Sequence, residues 1–127
     1  MRTTVQIVQI VLRLAGATVL VLGLLFWTGN FLALIPIHML AGLLVVLSLW
    51  TLAGLAARAG VGMGRVALAV VWGLIVPVLG VTQSGPLPGD LHWVVQLLHL
   101  LIGIGALGQG EGLAARIKRA PVLAQPS

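Results

Sequence analysis

Three histidines and two carboxylates carry most of the chemistry open to this 127-residue chain. It contains no Cys and no Tyr, which removes thiolate ligands, disulfides, cysteine nucleophiles and a tyrosyl proton donor. Asp90 and Glu111 both fall near the ends of apolar runs, so neither is expected mid-span, where a proton-coupled antiporter needs an acid. The histidines remain: His38, His92 and His99. On a helix, His92, Gln96, His99 and Gly103 follow one another at i, i+4, i+7 and i+11 and share a face. His38 and Gly42, four residues apart, do the same on an earlier segment. The shared pattern is His-x-x-x-Gly. It suits a haem, because an imidazole ligates the iron while a glycine one turn along lets the flat porphyrin lie against bare backbone. Neutral imidazoles from two facing helices can complete six-coordinate iron inside a four-helix bundle. Gln96 is placed to orient a ring nitrogen of His92 or His99, as metal-bound imidazoles commonly require.

Each residue also has a plainer reading. His92 stands two residues past Asp90 and fits a hydrated headgroup region. His99 lies about 10 Å deeper on a helix rising about 1.5 Å per residue, where a purely structural imidazole needs a hydrogen-bond partner. Gly42 and Gly103 belong to 17 glycines, and small residues also let membrane helices pack closely. A zinc site with three histidine ligands is disfavoured, because seven residues separate His92 from His99 and one small ion cannot span that gap.

The positioning elements follow from hydropathy. The chain is 60% hydrophobic and 7% charged, with mean hydropathy +1.18; a soluble domain carries about a quarter charged residues. Four runs reach the roughly 20 apolar residues that cross a bilayer: about 5–27, 34–57, 64–82 and 91–109, with 110–127 expected as a cytoplasmic tail. The first run is too long for a secretory signal and lacks a small-x-small cleavage site, so it reads as a retained helix. Thr28-Gly29-Asn30, Gly60-Val61-Gly62 and Ser84-Gly85-Pro86-Leu87-Pro88-Gly89-Asp90 supply turn chemistry between the runs. Pro36 suits the first turn of helix two, Asp90 suits the N-cap of helix four, and Pro77 falls inside helix three, where it should kink it.

Seven basic residues against two acidic ones give a formal charge of +5. They form no patch interleaved with aromatics, which excludes a nucleic-acid surface. Arg2, Arg13, Arg58, Arg65, Arg116, Lys118 and Arg119 instead fall on one side if both termini are cytoplasmic, and the other two connections hold no Lys or Arg. Arg13, inside helix one, is expected to snorkel toward the cytoplasmic headgroups. Trp27 and Trp93 fall near the outer interface.

The halves resemble each other. Val21-Leu22-Gly23 recurs as Val78-Leu79-Gly80, His38-Met39-Leu40-Ala41-Gly42 answers His99-Leu100-Leu101-Ile102-Gly103, and Gly54-Leu55-Ala56-Ala57-Arg58 answers Gly112-Leu113-Ala114-Ala115-Arg116. The expected fold is an all-α integral membrane four-helix bundle of two repeated hairpins in the cell membrane, with both termini on the cytoplasmic side. The repeat favours His38 with His99 over His38 with His92 as the facing pair.

These residues resemble one four-helix half of the haem A synthase family or, more broadly, a small membrane b-type cytochrome. In that family each half is a four-helix bundle with axial histidines on its second and fourth helices. The matching positions are His38, and His99 within Leu97-Leu98-His99-Leu100-Leu101; Leu79-Gly80-Val81-Thr82 and its polar turn also fit. The chain matches one half, without a cysteine pair or an outward catalytic carboxylate, so the resemblance implies haem binding and not haem hydroxylation. The expectation is therefore haem b with His38 and His99 as axial ligands and His92 as a nearby or alternative one. Saturated iron suits one-electron transfer, with quinone, a redox subunit or a second copy of the chain as partner. The alternative is a cofactor-free structural or assembly subunit of a larger membrane complex.

Overall fold

The computed structural model describes residues 1–85 and 89–121 and is all-helical over them. Four helices follow in order: α1 (Arg2–Trp27), α2 (Ile35–Arg58), α3 (Met63–Thr82) and α4 (His92–Arg119). Single 3-10 turns at Leu32–Leu34 and Gly89–Leu91 lead into α2 and α4. The four segments carrying these helices are each long and apolar enough to cross a membrane. The helices form a bundle in which α2 touches all three others, and α2 and α4 meet across its short diagonal.

Local chemistry explains the boundaries. Gly29 and Gly60 take φ of +81° and +80° just past α1 and α2, a conformation open to glycine at little cost. Each closes its helix with a paired cap: Asn30 and Gly29 amides donate to the Leu25 and Phe26 carbonyls, and Val61 and Gly60 amides to those of Ala56 and Ala57. Pro36 sits in the first turn of α2, and Pro77 lies inside α3.

Two expectations change. Asp90 does not cap α4: it lies in the 3-10 turn, and the N-cap is Leu91, with no side-chain bond. The helix also does not end at Gln109 but runs on through Arg119. Glycines at 108, 110 and 112 and the charges after them read as a helix end in sequence. Packing overrides that signal, because Leu113, Ala114 and Ile117 are buried against the core. The Pro86-Leu87-Pro88 turn and the tail from residue 122 lie outside the described residues.

The densest packing is at the end holding the start of α1 and the last turns of α4. Val5, Leu12, Leu49, Leu52 and Ile117 are fully buried there, with Ala56, Ala69, Ala106 and Ala114 between them. Large side chains enter glycine gaps across helices: Leu12 against Gly110, Leu107 against Gly16, Trp50 against Gly73 and Trp72 against Gly105. Both indoles also reach backbone, Trp50 Nε1 donating to the Val70 carbonyl at 3.1 Å and Trp72 Nε1 to the Ile102 carbonyl at 2.9 Å. Among the described residues toward the far end, the buried hydrophobics are Leu22, Ala41, Val76 and Val95.

Candidate functional site

His38 is the fourth residue of α2 and His99 the eighth of α4, yet their ring centroids lie 6.3 Å apart, planes tilted by 55°. The four-residue difference corresponds to α4 starting about one turn, or about 6 Å, farther out than α2. Both rings are half-buried. In each the Nδ1 atom is buried without a hydrogen-bond partner. Buried polar atoms are normally paired, and an orphan calls for an explanation such as an absent ion or ligand. Here the two orphans belong to neighbouring rings.

The spacing bears on ligation directly. With a metal–imidazole nitrogen bond of about 2.0 Å, and about 1.1 Å from that nitrogen to the ring centre, two imidazoles on opposite sides of one metal have centroids about 6.3 Å apart. The observed separation equals that figure. A tilt between the planes is no obstacle, since each ring turns freely about its own metal–nitrogen axis.

Glycines from the neighbouring helices frame the rings. The Cε1 of His38 stands 3.4 Å from where a Cβ of Gly23 would lie, and the Cε1 of His99 stands 3.3 Å from that of Gly80. Each imidazole therefore leans on a glycine of the helix preceding its own. Phe26 packs edge-on against His38, centroids 5.3 Å apart at 68°. Gly42 and Gly103, one turn beyond each histidine, have nothing within 4 Å of where a Cβ would stand. Two bare backbone segments thus border the histidine pair, as a flat macrocycle requires. The spacing, the unpaired Nδ1 atoms and the open glycines are compatible with one group held between His38 and His99.

Gly23, Gly80 and Phe26 were not among the ligand-site candidates read from sequence. Gly23 and Gly80 do occupy matching positions in the repeated Val-Leu-Gly triplets, which was the available signal. Gln96 shares the half-buried face of α4 with His92, His99 and Gly103. The Nδ1 of His99 has no hydrogen-bond partner, so Gln96 does not hold that atom. Among the described residues no three His, Cys, Asp or Glu side chains gather around one point, so His92 does not join His38 and His99 in a three-histidine site.

A second polar cluster lies near the opposite end, between α1 and α4. Arg13 grips Glu111 through two bonds, Nε to Oε1 at 2.6 Å and a terminal nitrogen to Oε2 at 2.9 Å. The buried Gln9 amide donates to Glu111 Oε2, and Lys118 Nζ donates to Gln9 Oε1 at 2.6 Å. Arg13 thus does not simply snorkel. It is held by the Glu111 carboxylate, two turns before the end of α4. No protein-family model, no curated protein and no solved structure matches the chain.

Proposed function

We propose that the protein is a membrane-embedded haem b protein, with His38 and His99 as the two axial ligands, serving one-electron transfer. The observation that carries the reading is the 6.3 Å separation of two half-buried imidazoles whose Nδ1 atoms lack partners. The membrane setting rests on four helices of sufficient length and apolarity. The twenty residues of α3 measure about 30 Å, the thickness of a hydrocarbon core. All seven Lys and Arg residues fall at the end with the termini, which orients that end to the cytoplasm of a cell membrane. The histidine pair then lies in the outer half.

Haem bound there would supply a reversible ferric–ferrous couple. The chain's own part is to hold and seal. His38 and His99 would both ligate the iron, each through one imidazole nitrogen. Gly42 and Gly103 would keep side chains clear of the macrocycle, Gly23 and Gly80 would fix how the imidazoles lean, and Phe26 packs edge-on against the His38 ring. Thr28, Asn30, Gln83 and Ser84, at the outer ends of α1 and α3, offer polar surroundings for the propionates. Electrons would pass to a quinone, a redox subunit or a second copy of the chain. The shared Gly–His contact of α1 with α2 and of α3 with α4 favours a duplicated hairpin as the origin of the site.

Expression with ample haem, membrane extraction and absorption spectroscopy test the reading. A Soret band with sharp reduced bands, assigned to six-coordinate low-spin iron, is the expected result. A colourless membrane protein removes the haem and leaves the structural or assembly subunit as the reading.

A further inference from the structure

We infer that the groove between α3 and α4 at the cytoplasmic end binds one anionic phospholipid, its phosphate between Arg65 and Arg116 and an acyl chain along the groove. The inference rests on the membrane orientation proposed above, and not on the haem. The groove holds about 340 Å³ and is bounded by Arg65 and Leu68 of α3 and by Gly108, Leu113 and Arg116 of α4.

Charge selects the occupant. The chain has only two acidic side chains. Glu111 is committed to Arg13 and Gln9, and Asp90 stands at the opposite end of α4. Neither is left for the groove. Arg65 is exposed, and Arg116 makes only a long 3.3 Å bond to the Gly112 carbonyl of its own helix. Two guanidiniums bordering one cavity without a carboxylate between them form an anion seat, and arginine matches phosphate geometry well. Basic pockets between membrane helices on the cytoplasmic side recognise lipid headgroups on this principle.

Shape selects a lipid over a free anion. Arg65 is the third residue of α3, so in this orientation it stands at the hydrocarbon boundary, and the groove runs from it into the bilayer. Trp72 closes the inner end by filling the gap over Gly105. Between them Gly108 is exposed, with nothing within 4 Å of where a Cβ would lie. Leu68 and Leu113 supply apolar walls. A phosphate with a hydrocarbon tail uses both parts, whereas inorganic phosphate uses one.

Native mass spectrometry of the detergent-purified full chain, titrated with dioleoyl phosphatidylglycerol or dioleoyl phosphatidylcholine, tests this. One phosphatidylglycerol should bind in preference to phosphatidylcholine, and Arg65→Gln with Arg116→Gln should cut that preference by about tenfold or more. Arg58→Gln with Arg119→Gln removes the same charge from the same end and should leave the preference intact. Gly108→Leu fills the groove without changing charge. It adds a better helix former at an open site, and it should abolish the bound lipid. Equal losses in the two double variants would overturn the inference, as would a preference that survives Arg65→Gln with Arg116→Gln. A dimer broken by Gly108→Leu and indifferent to phosphatidylglycerol would assign the groove to a second copy instead, and a wild-type response to inorganic phosphate equal to that to phosphatidylglycerol would assign it to a free anion. The Soret band of the same samples reports on the haem reading separately, and recovery of the chain from the aqueous fraction would remove the membrane reading itself.

Discussion

The two ends of the bundle bury polar groups in opposite ways. At the charged end, Gln9, Arg13, Glu111 and Lys118 form a connected set in which the Gln9 amide both donates and accepts and Glu111 takes three bonds. Around it the core is sealed, with Val5, Leu49, Leu52 and Ile117 showing no exposed surface. At the other end, two imidazoles lie side by side, each with a buried Nδ1 that makes no hydrogen bond of ordinary geometry, and the buried neighbours are less completely covered. A satisfied network rigidifies the fold, whereas a partly satisfied one is a liability unless something else completes it. The contrast is what the haem proposal rests on: the first end is satisfied by its own side chains, and the second is not.

The largest effect should come from removing a ligand. His38→Ala or His99→Ala should lower haem retention by more than about a hundredfold, above the usual cost of losing a supporting residue around a metal. Loss of the Soret band from purified protein is the measurement, and a variant that keeps six-coordinate spectra would defeat the assignment. Nearly as large is the effect expected of Gly42→Leu or Gly103→Leu. Both positions are open in the protein as it stands, so neither change should lower thermal stability. Both should nonetheless block haem uptake, because the new side chain takes the volume the macrocycle needs. Loss of colour with an unchanged melting midpoint separates a filled site from a misfolded chain.

Next in size is Glu111→Gln, which acts at the other end. It removes the partner of Arg13 and weakens the bond from the buried Gln9. The pair is partly exposed, with side chains 61% and 37% accessible, and such pairs contribute little individually. The network should therefore lose a few degrees of thermal midpoint, read by the unfolding of purified protein in detergent. The haem spectrum should not move. A spectral change in Glu111→Gln would mean that the ends are coupled and that the division drawn above is wrong.

Much of this division is legible in the sequence. Hydropathy finds four spans because each crossing needs an uninterrupted apolar run. Pro36 and the Gly29 and Gly60 turns are readable because backbone limits act locally. The facing of His38 and His99 is readable through the repeated His-x-x-x-Gly pattern, although their depths on separate helices are not, since helix starts depend on turns that hydropathy does not resolve. The long α4 and the Arg13–Glu111 pair are not legible. Arg13 and Glu111 stand 98 residues apart, and only the docking of α1 on α4 turns a charged, glycine-rich stretch into packed helix. Gly23 and Gly80 escape notice for a related reason: in a chain with 17 glycines, what marks these two is the ring beside each one.

That ring contact gives a smaller and finer effect. An added methyl at Gly80 would lie 3.3 Å from His99 Cε1, tighter than ordinary contact, and at Gly23 it would lie 3.4 Å from His38 Cε1, at the ordinary limit. Gly80→Ala should therefore tilt its imidazole more than Gly23→Ala does. Low-spin electron paramagnetic resonance reads the relative orientation of axial imidazoles, so the g-values should shift in that order while haem remains bound. Identical spectra in both variants would mean that the glycines do not set how the ligands lean.

The smallest effect is expected at His92. His92 opens α4, seven residues outward from His99, about 10 Å along the axis. A residue that far out cannot share an iron with His38 while His99 holds its observed place, and among the described residues it joins no metal-sized group. His92→Ala should leave the Soret and reduced bands unchanged. Bleaching by His92→Ala, with His99→Ala still coloured, would require α4 to slide inward by about two turns when haem binds. Such a slide would carry Glu111 away from Arg13 at the same time, so the spectral result would also report whether the network at the charged end fixes the register of the histidines at the other.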